Sequence, residues 1–120
     1  MNIAQQKEKL RKEISLLKKQ YSADDLHNRS EEVLSVLEIT GAFQQAKTIF
    51  IYNSMDDEVQ TLDFINRWSA EKNFYLPVVV KDDIVFRKYV QDTTLKQSSY
   101  GIMEPLGDNF TDYKKVDLII

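Results

Sequence analysis

The chain has 120 residues, 42% hydrophobic and 29% charged, with a formal net charge of -3. That length fits one domain and not two, the apolar content excludes a disordered chain, and the negative balance disfavours nucleic acid as the main partner. The absence of cysteine excludes disulfides and thiolate metal sites, and the lone histidine, His27, excludes a His-rich metal site or a Ser-His-Asp triad.

No stretch approaches the roughly 20 apolar residues of a membrane span. Met1 to Leu17 lacks the apolar core of a signal peptide, and Glu8 and Glu13 argue against a mitochondrial presequence. A cytoplasmic location is expected.

Ile3, Leu10, Ile14 and Leu17 fall on helical spacing between Lys and Glu, which predicts an amphipathic helix from about Asn2 to Gln20. Ser22 is expected to cap a second helix, with Asp24 and Asp25 suiting its dipole and Leu26, Val33, Leu34 and Leu37 on its apolar face. Gly41 breaks that pattern, and a short helical turn from Ala42 to Ala46 follows. Thr48 to Tyr52 is β-branched and aromatic, apolar nearly throughout, as in strands covered on both faces. Asn53 to Val59 is polar and acidic, hence a loop. Thr61 is expected to cap a helix carrying Leu62, Ile65 and Trp68.

Phe74 to Val80 predicts a second strand. Pro77 has no N–H to give a ladder, which places it at a bulge or a strand end. Lys81-Asp82-Asp83 is a turn signal, and the alternation from Ile84 to Tyr89 predicts a third strand in a hairpin with the second. Thr93 to Ser99 is polar and irregular, and Gly101 to Pro105 is a compact turn-like element. Val116 to Ile120 has the composition of a buried central strand with no loop at its carboxyl end, which predicts a sheet left unfinished there. The alternative is a short C-terminal edge strand, an aggregation hazard if uncovered. Strand, helix, strand is a βαβ unit with a right-handed crossover. The expected fold is one α/β domain: a mixed, mainly parallel sheet flanked by helices, Rossmann-like and three-layered, incomplete at the C-terminus.

The loop Asn53-Ser54-Met55-Asp56-Asp57-Glu58 leaves the carboxyl end of a strand, the usual ligand side of such sheets. Glu58 is open between accepting a ligand's amino or amide edge and merely complementing a helix dipole. Asp56 and Asp57 fit solvated turn positions. Lys7 and Arg11, one helical turn apart, could grip a phosphate, but on helix geometry alone a solvated charged face with partners such as Glu8 and Lys12 explains them better. Phe50, Tyr52, Phe86 and Tyr89 fit either a pocket for a flat ring or the core. Three glycines at 41, 101 and 107 leave no P-loop or dinucleotide fingerprint.

In this order the pieces resemble the 5-formyltetrahydrofolate cyclo-ligase family, also called methenyltetrahydrofolate synthetase. The matching stretches are Lys7 to Arg11, Ala46 to Tyr52, Asp57 to Thr61, Leu76-Pro-Val-Val, Phe86 to Tyr89, Tyr100 to Pro105 and Val116 to Ile120. The resemblance implies ATP-dependent closure of 5-formyltetrahydrofolate to 5,10-methenyltetrahydrofolate, with release of ADP and phosphate and with magnesium assisting. By position it implies Lys7 and Arg11 at the ATP phosphates and Asn53 and Glu58 at the folate, with no metal ligand in this chain. It implies a monomer when full length, with no nucleic acid or membrane partner. The family's Gly-rich basic loop ending in Gly-Tyr-Tyr-Asp is absent, so the chain is expected to be the N-terminal portion of an enzyme and inactive alone. The competing readings are a non-catalytic folate-binding or self-associating module, and a sugar-phosphate or CoA-type enzyme on a similar sheet.

Overall fold

The computed structural model describes residues 1–91, 95–97 and 103–120. Three helices come first: α1 (Ile3–Lys18), α2 (Ala23–Glu38) and α3 (Gly41–Gln45). Asn2 opens α1 with a reciprocal cap, its side chain accepting from the Gln5 backbone while the Gln5 side chain accepts from the Asn2 backbone. Ser22 caps α2 as expected, and Asp25 completes a second capping box. The apolar stripe of α1 is present but uncovered among the described residues, with Leu10 58%, Ile14 42% and Leu17 53% exposed. On α2, Leu34 is buried, Leu26 and Leu37 half-buried, and Val33 exposed, so its packed face is narrower than its sequence pattern.

The sheet is β1 (Thr48–Phe50), β2 (Asn73–Val80), β3 (Asp83–Lys88) and β6 (Leu118–Ile119), in the order β3-β2-β1-β6. The helix α4 (Leu62–Trp68) connects β1 to β2, and those strands pair in parallel with Ile49 opposite Phe74. β6 joins the other side of β1, also parallel. β2 and β3 are antiparallel across a two-residue turn in which Lys81 takes φ 57°, the left-handed backbone that such tight turns need. The mixed, mainly parallel sheet is therefore the expected one. A separate ribbon pairs β4 (Leu95–Gln97) with β5 (Met103–Pro105). Gly101 and Ile102 lie outside the described residues, as do Thr93, Thr94, Ser98 and Ser99.

Alternation along β1 divides the packing in two. Ile49 and Ile51 join Phe43, Phe64, Ile65, Phe74 and Leu76 in the core beneath the helices. Phe50 points to the other face, where it stacks on Phe86 at 3.8 Å and meets Phe110 and Tyr113 edge-on. That face is covered by aromatic side chains, so Phe50 and Phe86 are packing residues. Tyr89 is also core, its hydroxyl 2.7 Å from Asn66 Oδ1.

The expectation for Pro77 is corrected. Pro77 sits inside β2, opposite Phe86, not at a bulge or an end. Its missing N–H removes no ladder bond: the Phe86 carbonyl turns outward to accept from Phe110 N, so this pair is not hydrogen-bonded. The nitrogen of Pro77 faces the space beyond the end of β1. Val79, on the same edge of β2, instead donates to Glu104 Oε2 at 2.8 Å. β6, whose apolar composition is that of a central strand, stands at the edge of the described sheet with Ile119 72% exposed, which is the unfinished sheet the sequence predicts. Asp117 fixes its register, Oδ2 accepting from the backbones of Lys47 at 2.8 Å and Thr48 at 2.9 Å.

Lys72 was not singled out by its sequence context, yet it is buried. Its Nζ donates to the carbonyls of Phe43, Gln44 and Ala46, at 2.7, 3.2 and 2.7 Å, and lies 4.6 Å from the Phe43 ring centre. It closes the last carbonyls of α3 with a charge, the end at which the helix dipole favours a cation.

Candidate functional site

The loop between β1 and α4 leaves the carboxyl end of a strand paired on both sides, and it is tied in place at each end. Thr61 is fully buried. Its hydroxyl donates to Tyr52 O at 2.9 Å and accepts from Ser54 N at 3.1 Å, while Ser54 Oγ accepts from Thr61 N at 3.0 Å. Thr61 therefore does not cap α4 with its side chain, as its position before the helix predicts; it closes the loop instead. Gln60 reaches back to the carbonyls of Met55 at 2.8 Å and Glu58 at 2.9 Å. Its own N–H donates to Ser30 Oγ at 2.9 Å, which anchors the loop to α2. A short polar segment with this many internal bonds holds its side chains without a ligand.

Glu58 Oε1 accepts from Met55 N at 2.7 Å, and Glu58 lines a cavity of about 600 Å³. The cavity lies between the loop, the end of α1 and the first half of α2. Tyr21, Leu26, Tyr52 and Val59 supply its apolar surface; Lys18, Arg29, Asp57 and Glu58 supply its charge. Lys18 and Asp57 pair at 3.5 Å. Burial first, and the Glu58 carboxylate second, push the Tyr52 hydroxyl above the ordinary tyrosine range. Tyr52 is thus a neutral donor at physiological pH, its O–H donating to Val59 O at 2.9 Å.

The other sequence candidates stand apart from this cavity. Asn53 Nδ2 donates to Met103 O at 3.3 Å, linking the loop to β5, and Asn53 does not line the cavity. Lys7 and Arg11 are exposed on α1. They share one stripe of that helix with Lys18, which stands seven residues beyond Arg11, roughly 10 Å along the axis, and eleven beyond Lys7, roughly 16 Å. Tyr21 and Arg29 were not anticipated. The available signal was positional: Arg29 directly precedes Ser30, which shares a helical face with Leu26. Among the described residues no group of three or more acidic or histidine side chains converges to hold a metal, and no helix is long and apolar enough to cross a membrane.

A tied loop at the carboxyl end of a parallel strand, with a carboxylate lining a largely apolar cavity, is the arrangement of an α/β domain with a candidate ligand site. Residues 3–120 match the 5-formyltetrahydrofolate cyclo-ligase family. The chain belongs to that family. It is 34% identical to a 5-formyltetrahydrofolate cyclo-ligase of Haemophilus influenzae, covering 84% of this chain and 56% of that protein. The solution structure of Aquifex aeolicus 5,10-methenyltetrahydrofolate synthetase superposes with a TM-score of 0.81 at 27% identity, over 94% of this chain and 58% of that one. The chain spans somewhat more than half the length of these relatives.

Proposed function

We propose that the chain provides the folate side of an ATP-dependent 5-formyltetrahydrofolate cyclo-ligase. The observation that carries this reading is Glu58: a loop carboxylate at the carboxyl end of β1, positioned by Met55 N, in a cavity with apolar walls. A carboxylate there accepts hydrogen bonds from the amino and amide edge of a pterin and orients its formyl group. In the proposed reaction ATP supplies a phosphoryl group to the formyl oxygen, N10 closes the ring on the activated carbon, and phosphate leaves. Lys7 and Arg11 are the cations assigned to the nucleotide's phosphates, and Arg11 is the one suited to two-pronged contact. Asn53, held to β5 through Met103 O, is assigned to the folate site as the residue that fixes the start of the loop. The described residues offer no ligand set for magnesium, and no step here depends on it. The proposed setting is cytoplasmic.

Titration calorimetry of the purified chain with 5-formyltetrahydrofolate tests the reading. Saturable binding is expected, weakened about tenfold or more in Glu58→Gln, since a charge-assisted hydrogen bond contributes roughly 1.5–3 kcal/mol. No affinity for the folate, or unchanged affinity in the variant, would refute it.

A further inference from the structure

Arg29 faces the same cavity as Glu58 and has a different relation to its surroundings from every other charge there. Its guanidinium carbon lies 4.6 Å from the centre of the Tyr21 ring, a cation–π stack that limits the orientations of its planar fork. Lys18 is paired with Asp57, and Glu58 has one oxygen engaged with Met55 N. Among the described residues, Arg29 has no carboxylate within ion-pair distance and no hydrogen-bond acceptor. A guanidinium stacked on an aromatic ring, without a protein acceptor and among the residues lining a cavity, is prepared for a planar anion. The Lys18–Asp57 pair is locally neutral, so the cavity presents an acceptor at Glu58 and a donor fork at Arg29 across apolar walls.

We infer that Arg29, oriented by Tyr21, is an anion-binding residue that docks a carboxylate of the same ligand whose donor edge meets Glu58. The ligand class is a flat heteroaromatic molecule carrying a carboxylate. The inference rests on the folate reading and adds to it: folate has a donor-rich ring and a carboxylate-bearing arm, and Arg29 reads the second. Tyr21 is a positioning residue, acting only through the guanidinium.

The test is calorimetry on the whole chain with four probes: 5-formyltetrahydrofolate, a reduced pterin lacking the benzoylglutamate arm, ATP and tripolyphosphate. Arg29→Gln is expected to weaken the folate about tenfold, the effect of one lost charge-assisted contact, and to leave the truncated pterin unchanged. Arg29→Lys restores part of the loss, and Tyr21→Leu gives a smaller loss of the same selectivity. Glu58→Gln weakens the folate and the truncated pterin alike. An unchanged melting temperature in Arg29→Gln checks the fold, which an exposed helix residue does not control. If Arg29→Gln weakens both pterin ligands equally, or neither, the carboxylate assignment fails, while a loss in Glu58→Gln leaves the folate reading standing. If Arg29→Gln weakens only ATP or tripolyphosphate, the anion is a phosphate and the assignment is likewise overturned. A chain that binds neither pterin ligand overturns both readings.

Discussion

Asp117 shows what a single residue type contributes in an otherwise apolar run. The stretch Val116 to Ile120 is otherwise apolar, and an exposed aspartate in it has no packing role. Its carboxylate instead accepts two backbone N–H groups at the start of β1, those of Thr48 and Lys47, and these two bonds hold its pKa below the ordinary aspartate value. A carboxylate whose native pKa is depressed stabilises the fold above its unfolded pKa, and that contribution disappears as pH falls through the native value. Asp117→Asn keeps an acceptor and loses the charge. Its melting temperature is expected to fall below that of the parent by a constant amount above about pH 5, with the gap closing as pH drops below about 4. Thermal melts of both proteins between those conditions check this, and a gap that persists unchanged into acid would show that charge is not the cause. Although the residue type of Glu58 alone left ligand contact and helix-dipole complement both open, its position in a loop at the carboxyl end of β1 was legible at this scale. Arg29 was not: an arginine on an exposed helix has no sequence mark that separates a solvated charge from one stacked over Tyr21. Lys72 was hidden for the same reason, since its three acceptors belong to a helix end almost thirty residues earlier.

At the scale of elements, the sequence located the helices and strands because their periods differ, and it missed what joins them. Helical spacing marked α1 and α2, and β-branched or aromatic runs marked β1 and β2. Thr61 had the sequence position of a cap but serves as the clasp of the β1–α4 loop, because Tyr52 O and Ser54 N come within reach only after the loop folds back. Pro77 was read from its missing donor alone; the pairing pattern of β2 with β3 decides that this donor has no partner to lose. Glu104 belongs to a stretch matched to the family without a role for each residue, and the fold gives it one: it supplies Val79 N with an acceptor beside the last residues of β2. The clasp leads to a prediction. Thr61→Val preserves shape but leaves the half-buried Tyr52 carbonyl and Ser54 N–H without their hydroxyl partner, at a cost of about 1–3 kcal/mol. Urea unfolding should show that loss, and 5-formyltetrahydrofolate affinity should fall with it, because the loop that presents Glu58 loses one end. A stability change under about 0.5 kcal/mol would mean that the loop is held by its other bonds.

Over the whole molecule, the proposed functions of the chain are held on parts that do not meet. Glu58 lies in the cavity closed by the end of α1, whereas Arg11 and Lys7 stand roughly 10 and 16 Å further along the same helix stripe, in solvent. Lys18 joins the two regions, since it shares that stripe and pairs with Asp57 of the loop. Around the stripe, Leu10, Ile14 and Leu17 are exposed, and at the far side of β1 the outer edge of β6 has no strand beside it among the described residues. Phosphoryl transfer to a bound formyl oxygen needs the two reacting groups within a few ångströms and the developing charge enclosed. The described residues enclose one side of that encounter: a pterin at Glu58 would have walls and directed partners, and a triphosphate at Lys7 and Arg11 would have two cations in open water. The purified 120-residue chain is therefore expected to bind 5-formyltetrahydrofolate and to form no 5,10-methenyltetrahydrofolate with ATP and magnesium present. The absorbance of the methenyl product, followed over hours at high protein concentration, measures this directly. Turnover above the uncatalysed rate would mean that the cations of α1 reach the folate cavity after all, either by movement of α1 against the loop or by contribution from a second molecule. A rate linear in protein concentration would assign it to the first, and a quadratic one to the second.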